Sequence, residues 1–234
     1  MSMKKNISMI LAVTVLSVLV LPGGCEQQKT SAQEAQQQTV YAGTIVAAGD
    51  SLTAGMGVSE NNAYPAQLER KLREAGYNWQ VINAGISGET SSGMLGRINW
   101  VLKLKPDIVI LETGANDGMR GIDPAVARNN IDETVRILKQ NNVVVVLAGM
   151  KMFANLGRTY TNAFETLYPA VAKKHDIILI PFFLEAVAGD PALNQADGIH
   201  PNPKGYRIIT GRIEPYVLKA IREAEIVKQE RTRK

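Results

Sequence analysis

The stretch "DIVILETGANDG", residues 107 to 118, decides the fold. Its first half sets Ile108, Val109, Ile110 and Leu111 side by side. In an extended chain these side chains point to both faces, so both faces need cover. The second half, from Gly114 to Gly118, is loop chemistry. The same succession recurs along the chain: "TIVAA" (44–48) runs into "GDSL" (49–52) and "QVINA" (80–84) into "GISGET" (85–90). "VVVVLAG" (143–149) and "DIILIPF" (176–182) bring the apolar runs to five. Strands of this kind form parallel sheets with helices packed on both sides. Segments of helical character fall between them at 64–75, 91–104, 124–140 and 160–174, with a last one at 203–222. Asp123-Pro124 and Asn202-Pro203 each supply an N-cap followed by a first-turn proline. The expectation is an α/β domain over residues 43–222, a three-layer α/β/α sandwich around a five-stranded parallel sheet with right-handed crossovers.

In such sheets, sites form at the carboxyl ends of the strands, above all where the strand order reverses. With the order 2-1-3-4-5, the loops carrying Ser51, Gly88 and Asn116 share one crevice, and "DGIHP" (197–201) reaches it from beyond the fifth strand. A serine hydroxyl becomes a nucleophile when an imidazole takes its proton and a third group holds the imidazole. The chain has two histidines. His175 stands at a helix end, where a positive side chain suits the dipole. His200 follows Asp197 by three residues, a spacing that fits an acid–imidazole pair and equally fits a capping turn before the last helix. The developing oxyanion needs N–H donors. The backbone of Ser51, the unobstructed backbone of Gly88 and the side chain of Asn116 can supply them, although singly Gly88 and Asn116 read just as well as turn residues.

Together these blocks resemble the four signature blocks of the GDSL, or SGNH, hydrolases: Gly49-Asp50-Ser51-Leu52, Gly88 in "NAGISGET", Asn116 in "GANDG" and Asp197-Gly198-Ile199-His200, in that order over residues 43 to 220. Beyond them, "GRTYTNAFETLYPAVAKKHDIILIPFF" and "DGIHPN" are similar to the bacterial periplasmic branch of acyl-thioesterases, arylesterases and lysophospholipases. The resemblance implies a flavodoxin-like sheet and a serine esterase acting on acyl esters or thioesters without a cofactor. It implies Ser51 as nucleophile, His200 as base, Asp197 as its orienting acid, and Ser51, Gly88 and Asn116 as the oxyanion hole. In the resembling branch the loop "MKMFANLGRTY" (150–160) borders the acyl site; Met150, Met152, Phe153 and Leu156 read either as an apolar wall for an acyl chain, with Met152 and Phe153 as substrate-binding residues, or as packing of the loop onto the core. An O-acetyl esterase of polysaccharides would use the same catalytic residues over a shorter, more polar pocket, and a binding module on the same fold would do without them.

Other chemistries fit less well. Thr53 stands where the nucleophile elbow of α/β-hydrolases has its last glycine. Gly55-Met56-Gly57 fails the dinucleotide fingerprint, and no phosphate-binding G-x-x-x-x-G-K-[ST] occurs. Two distant histidines and one cysteine make a poor metal set. The net charge of +4 resides at the ends: two lysines without an acid in residues 1–24, and six basic against three acidic residues in 219–234. The body between them is close to neutral, which argues against nucleic acid as a partner. Lys4-Lys5 before fifteen largely apolar residues, 7–21, is the anatomy of an export signal ending near residue 24. Cys25, the single cysteine, resembles the lipid-attachment cysteine of bacterial lipoproteins, with Leu21 one position early and Pro22 in its place. Residues 25–42 are Gln-rich and read as a polar tether. Residues 223–234 read as a charged tail. The expected location is the periplasm or cell envelope, with membrane association through Cys25.

Overall fold

The computed structural model describes residues 40–233. The expectations for the export signal, Cys25 and most of the tether lie outside those residues. Five strands, β1 (Gly43–Gly49), β2 (Trp79–Gly85), β3 (Ile108–Glu112), β4 (Val144–Ala148) and β5 (Ile178–Ile180), form one parallel sheet in the order β2-β1-β3-β4-β5. The order reverses at β1, between β2 and β3. Each residue of β3 is buried, as are Ile45 to Gly49 of β1. β2 departs from the doubly buried expectation. As an edge strand it leaves Gln80 to Asn83 partly exposed, and Glu69 covers its edge by accepting the Val81 N–H at 2.8 Å.

The helices are α1 (Ser51–Ala54), α2 (Tyr64–Glu74), α3 (Ser91–Lys103), α4 (Ala115–Met119), α5 (Pro124–Gln140), α6 (Arg158–His175) and α7 (Pro203–Thr232). α2 packs with α7 on one side of the sheet, while α3, α5 and α6 pack in succession on the other. Buried Leu68 and Leu72 of α2, and Ile209, Ile213 and Val217 of α7, face the sheet at helical spacing. The expected caps form: Asp123 accepts from Ala125 N–H at 2.9 Å, and Asn202 accepts from Lys204 and Gly205 N–H at 2.9 and 3.1 Å.

Two boundaries differ from expectation. β5 has three residues rather than seven, because Asp176 is in left-handed conformation closing α6 and Pro181 brings no N–H to a ladder. The last helix runs on to Thr232, so the residues read as a charged tail continue α7. Ala224 there is buried, Lys228 donates to Ala42 O at 2.7 Å and pairs with Asp107 at 2.8 Å over the Trp79 ring, and Arg231 donates to Asn142 O at 2.7 Å. These contacts gather the end of α7 and the entry to β1 at the edge of the sheet where its strands begin.

Candidate active site

The site stands at the opposite edge, where the strands end. β1 closes at Gly49, and Asp50 caps a single helical turn by accepting the Leu52 N–H at 2.9 Å. Ser51 is the first residue of that turn, so its own N–H has no partner within the helix. Gly49 allows the turn to pass close under its neighbours: a Cβ there would lie 2.1 Å from Thr53 Oγ1 and 2.5 Å from Glu112 Oε2. Ser51 Oγ lies 2.8 Å from His200 Nε2, and His200 Nδ1 lies 2.7 Å from Asp197 Oδ2. Asp197 Oδ1 accepts the backbone N–H of Ile199 at 2.9 Å and of His200 at 3.0 Å. The backbone N–H of His200, its ring, and the N–H of Ile199 hold the Asp197 carboxyl down to about 2. Asp197 therefore closes its own turn and bonds the imidazole with the same side chain, while the cap of the last helix is Asn202. His175 stays apart, at the end of α6, 2.9 Å from Asp132.

Asn116, on α4 directly after β3, is buried and donates one amide N–H to Asp50 Oδ2 at 3.0 Å. That bond fixes which end of the amide is nitrogen and leaves its second N–H for another acceptor. Gly88 has φ +79, which a side chain would strain, and its carbonyl accepts from Arg120 Nη2 at 2.7 Å. Arg120 follows α4, so one guanidinium links the Gly88 loop to the Asn116 helix. Two further ties hold this loop. Glu89 pairs with Arg97 through two bonds of 2.7 and 2.8 Å, and the same guanidinium donates to Ala84 O at 2.8 Å at the end of β2. Asp117 accepts from both the N–H and the hydroxyl of Ser91 at 2.7 and 2.5 Å.

Below the turn lies a carboxyl that the sequence reading passed over. Glu112, the last residue of β3, has no exposure, and its Oε2 accepts from Asp50 N–H at 3.1 Å and Thr53 Oγ1 at 2.9 Å. Burial first, and then the neighbouring Asp50 charge, push its carboxyl well up. Burial raises Asp50 as well, against the donors from Leu52, Glu112 and Asn116 and the charge of His200. The signal was present in the sequence: an acidic residue at the end of a run expected to be covered on both faces.

An apolar cleft of about 620 Å³, its open mouth included, runs from Ser51 toward the β3, β4 and β5 side. Met150, Met152 and Phe153 line it as expected; Leu156 does not. The 3₁₀ turn Ala154–Leu156 carries Leu156 past the cleft. Met119, Phe182, Leu184 and Ile199 add to the wall, Met119 from the same helix as Asn116 and Ile199 from the loop bearing His200. Phe153 is 55% exposed at the mouth, whereas Met150 is buried at 3%.

The model of the GDSL-like lipase/acylhydrolase family matches residues 47–208. Esterase TesA of Pseudomonas aeruginosa is 39% identical over 165 residues, 70% of this chain and 82% of its own. Thioesterase 1/protease 1/lysophospholipase L1 of Escherichia coli strain K12 is 40% identical over 162 residues, 69% of this chain and 76% of its own. Among solved structures, the psychrotrophic esterase EstA from Pseudoalteromonas, inhibited by monoethylphosphonate, superposes with a TM-score of 0.73 at 30% identity, covering 77% of this chain and 99% of that one.

Proposed function

From the premise that the chain belongs to the GDSL-like lipase/acylhydrolase family and is a serine esterase of it, we propose that it hydrolyses acyl esters and thioesters of extended acyl chains through an acyl-enzyme on Ser51. The observation that carries the reading is the continuous line from Ser51 Oγ through His200 to Asp197, at 2.8 and 2.7 Å, at the head of an apolar cleft. Ser51 Oγ attacks the substrate carbonyl carbon while His200 Nε2 takes its proton. The negative oxygen that forms is met by the N–H groups of Ser51 and Gly88 and by the free N–H of Asn116. Collapse expels the alcohol or thiol, which leaves with the proton held by His200, and the acyl group stays on Ser51. Water then attacks the acyl carbon, giving its proton to His200, and the acid departs as Ser51 regains its hydrogen.

The acyl chain is assigned to the cleft because its wall is methionine, phenylalanine and leucine, flexible and apolar. This wall favours acyl chains over the short acetyl groups of decorated polysaccharides. Export through residues 7–21, location in the periplasm or envelope, and membrane attachment at Cys25 belong to the same proposal. They are supported by Lys4-Lys5, the apolar run and the position of the cysteine.

A fluorophosphonate, a mimic of the attacked ester, tests the assignment. One adduct is expected on the peptide containing Ser51, absent in Ser51→Ala together with esterase activity. An adduct on another serine, or an active Ser51→Ala, removes the nucleophile from this reading.

A further inference from the structure

No step of the acyl-transfer scheme uses Glu112, yet it touches the nucleophile turn on both sides of Ser51. Its Oε2 takes the backbone N–H of Asp50 and the hydroxyl of Thr53, one residue before and two after the nucleophile. Its Oε1 is buried and accepts from no donor among the described residues. Glu112 and Asp50 are neighbouring buried carboxyls, joined through the Asp50 N–H on Glu112 Oε2, and two ionised carboxylates so placed would repel each other. Asp50 has the donors a carboxylate needs, from Leu52 N–H and Asn116 Nδ2, at 2.9 and 3.0 Å. Glu112 has neither a cation beside it nor a donor for its second oxygen.

We propose that Glu112 is a neutral carboxylic acid and the positioning residue of the nucleophile turn, so that the buried Glu112–Asp50 pair carries one negative charge. An unpaired carboxylate in this place costs more than a protonated one. The remaining titratable groups that bear on Glu112 agree. Tyr64 from α2, Tyr168 from α6 and Tyr206 from α7 have hydroxyls that burial pushes up, so they stay neutral and bring no compensating charge. His200 bears on the pair through its charge, which acts on Asp50.

The single charge has two consequences. On Asp50 it orients the Asn116 amide, so that the second N–H is the one left for the reacting oxygen. A second charge on Glu112 would repel the oxyanion forming above the turn, in a region where water screens little. Neutrality thus keeps two of the acceptor positions under the turn without adding to the field against the reaction. This catalytic consequence rests on Ser51 as nucleophile; the location of the proton does not.

Isotope-edited infrared difference spectra of the full chain test the proposal. At neutral pH the wild type should show the carbonyl stretch of a protonated carboxylic acid, lost in Glu112→Gln and retained in Ser51→Ala. Glutamine offers the same acceptor oxygen and replaces the acid proton with an amide N–H. Glu112→Gln should therefore keep kcat within about threefold, while Glu112→Ala, which frees Asp50 N–H and Thr53, loses about tenfold or more. No such band, or a band that survives in Glu112→Gln, overturns the neutral acid. A loss of kcat beyond about thirtyfold in a Glu112→Gln chain with the wild-type circular dichroism overturns the positioning role. Should the glutamine variant not fold, ¹³C-glutamate labelling of the wild type reads the same point: one side-chain carboxyl resonance at the protonated position supports the proposal, and none defeats it. An active Ser51→Ala that retains the band would defeat the nucleophile and leave the Glu112 proton standing.

Discussion

Asp197 divides its work between two oxygens, one on the imidazole and one on the backbone of its own turn. Its carboxyl, held down to about 2, is ionised wherever the protein is folded near neutrality. A carboxyl depressed on folding contributes stability above its unfolded value of about 3.9, and that contribution is lost as pH falls through the folded value. The window for Asp197 thus lies between about pH 4 and pH 2. Asp197→Asn should lower kcat by roughly 10²- to 10⁴-fold at the plateau, since asparagine can cap the turn but does not support an imidazolium. His175→Gln should leave the pH profile of the wild type in place. A pH–rate series on the three proteins checks both, and near-normal kcat in Asp197→Asn would reassign its role to the cap alone. The carboxyl pair beneath Ser51 shows what the sequence hides at this scale. The positions of Ser51, Gly88 and Asn116 were legible because each sits in a short block just after a strand, and those of Asp197 and His200 because they share one block before the last helix. Glu112 sits in the strand itself, where one charged residue reads as a boundary. What gives it meaning is the meeting of β3 with a turn 59 to 62 residues earlier in the chain, a contact that no local pattern encodes.

Among the elements, the loop after β4 and the end of α7 make separate predictions. Phe153 lies at the mouth of the cleft and Met150 at its floor, so a short acyl group reaches neither wall as fully as a long one. Phe153→Ala should lower kcat/KM for long-chain esters several-fold more than for acetyl esters, each methylene that loses contact being worth up to about 0.8 kcal/mol. Equal losses across a chain-length series would make Phe153 a packing residue of the loop. For α7, ending the chain at Arg222 removes buried Ala224 and the Lys228 contacts to Ala42 and Asp107. The expected effect is a loss of about 1–3 kcal/mol, read as a lower Tm, with kcat on the surviving folded fraction unchanged. An unchanged Tm would return these residues to the status of a tail. The strand runs and the first four major helices were readable to within two residues or so, because their apolar periodicity is strong. The end of α7 was not: residues 223–234 are mostly charged, and what holds them is Lys228 lying across Trp79 of β2 and bonding the backbone before β1. β5 was misjudged in the other direction, since apolar residues continue past Pro181 as a path along the core rather than as a strand.

For the whole molecule, the sheet has a direction. Among the described residues, Ser51, Asn116, Asp197 and His200 lie at the edge where the strands end, and Ala42, Asn142, Lys228 and Arg231 meet at the edge where they begin. The seven residues of β1 separate the two by roughly 20 Å. Cys25→Ser tests the proposed anchoring: it should move the protein from the membrane to the soluble fraction and leave esterase activity unaltered. Mass spectrometry of the mature chain should find the lipid on Cys25, and an unmodified N-terminus elsewhere would remove the anchor from the proposal. The joining of Lys228 to Ala42 has a practical side as well. Because the two extremities of the fold are neighbours at the pole away from the mouth, a bead, a surface or a reporter domain grafted at either one turns the cleft toward bulk liquid. A short bridge between those extremities would also close the chain into a ring that could be reopened at an exposed loop, giving circular permutants whose new termini are chosen by the experimenter.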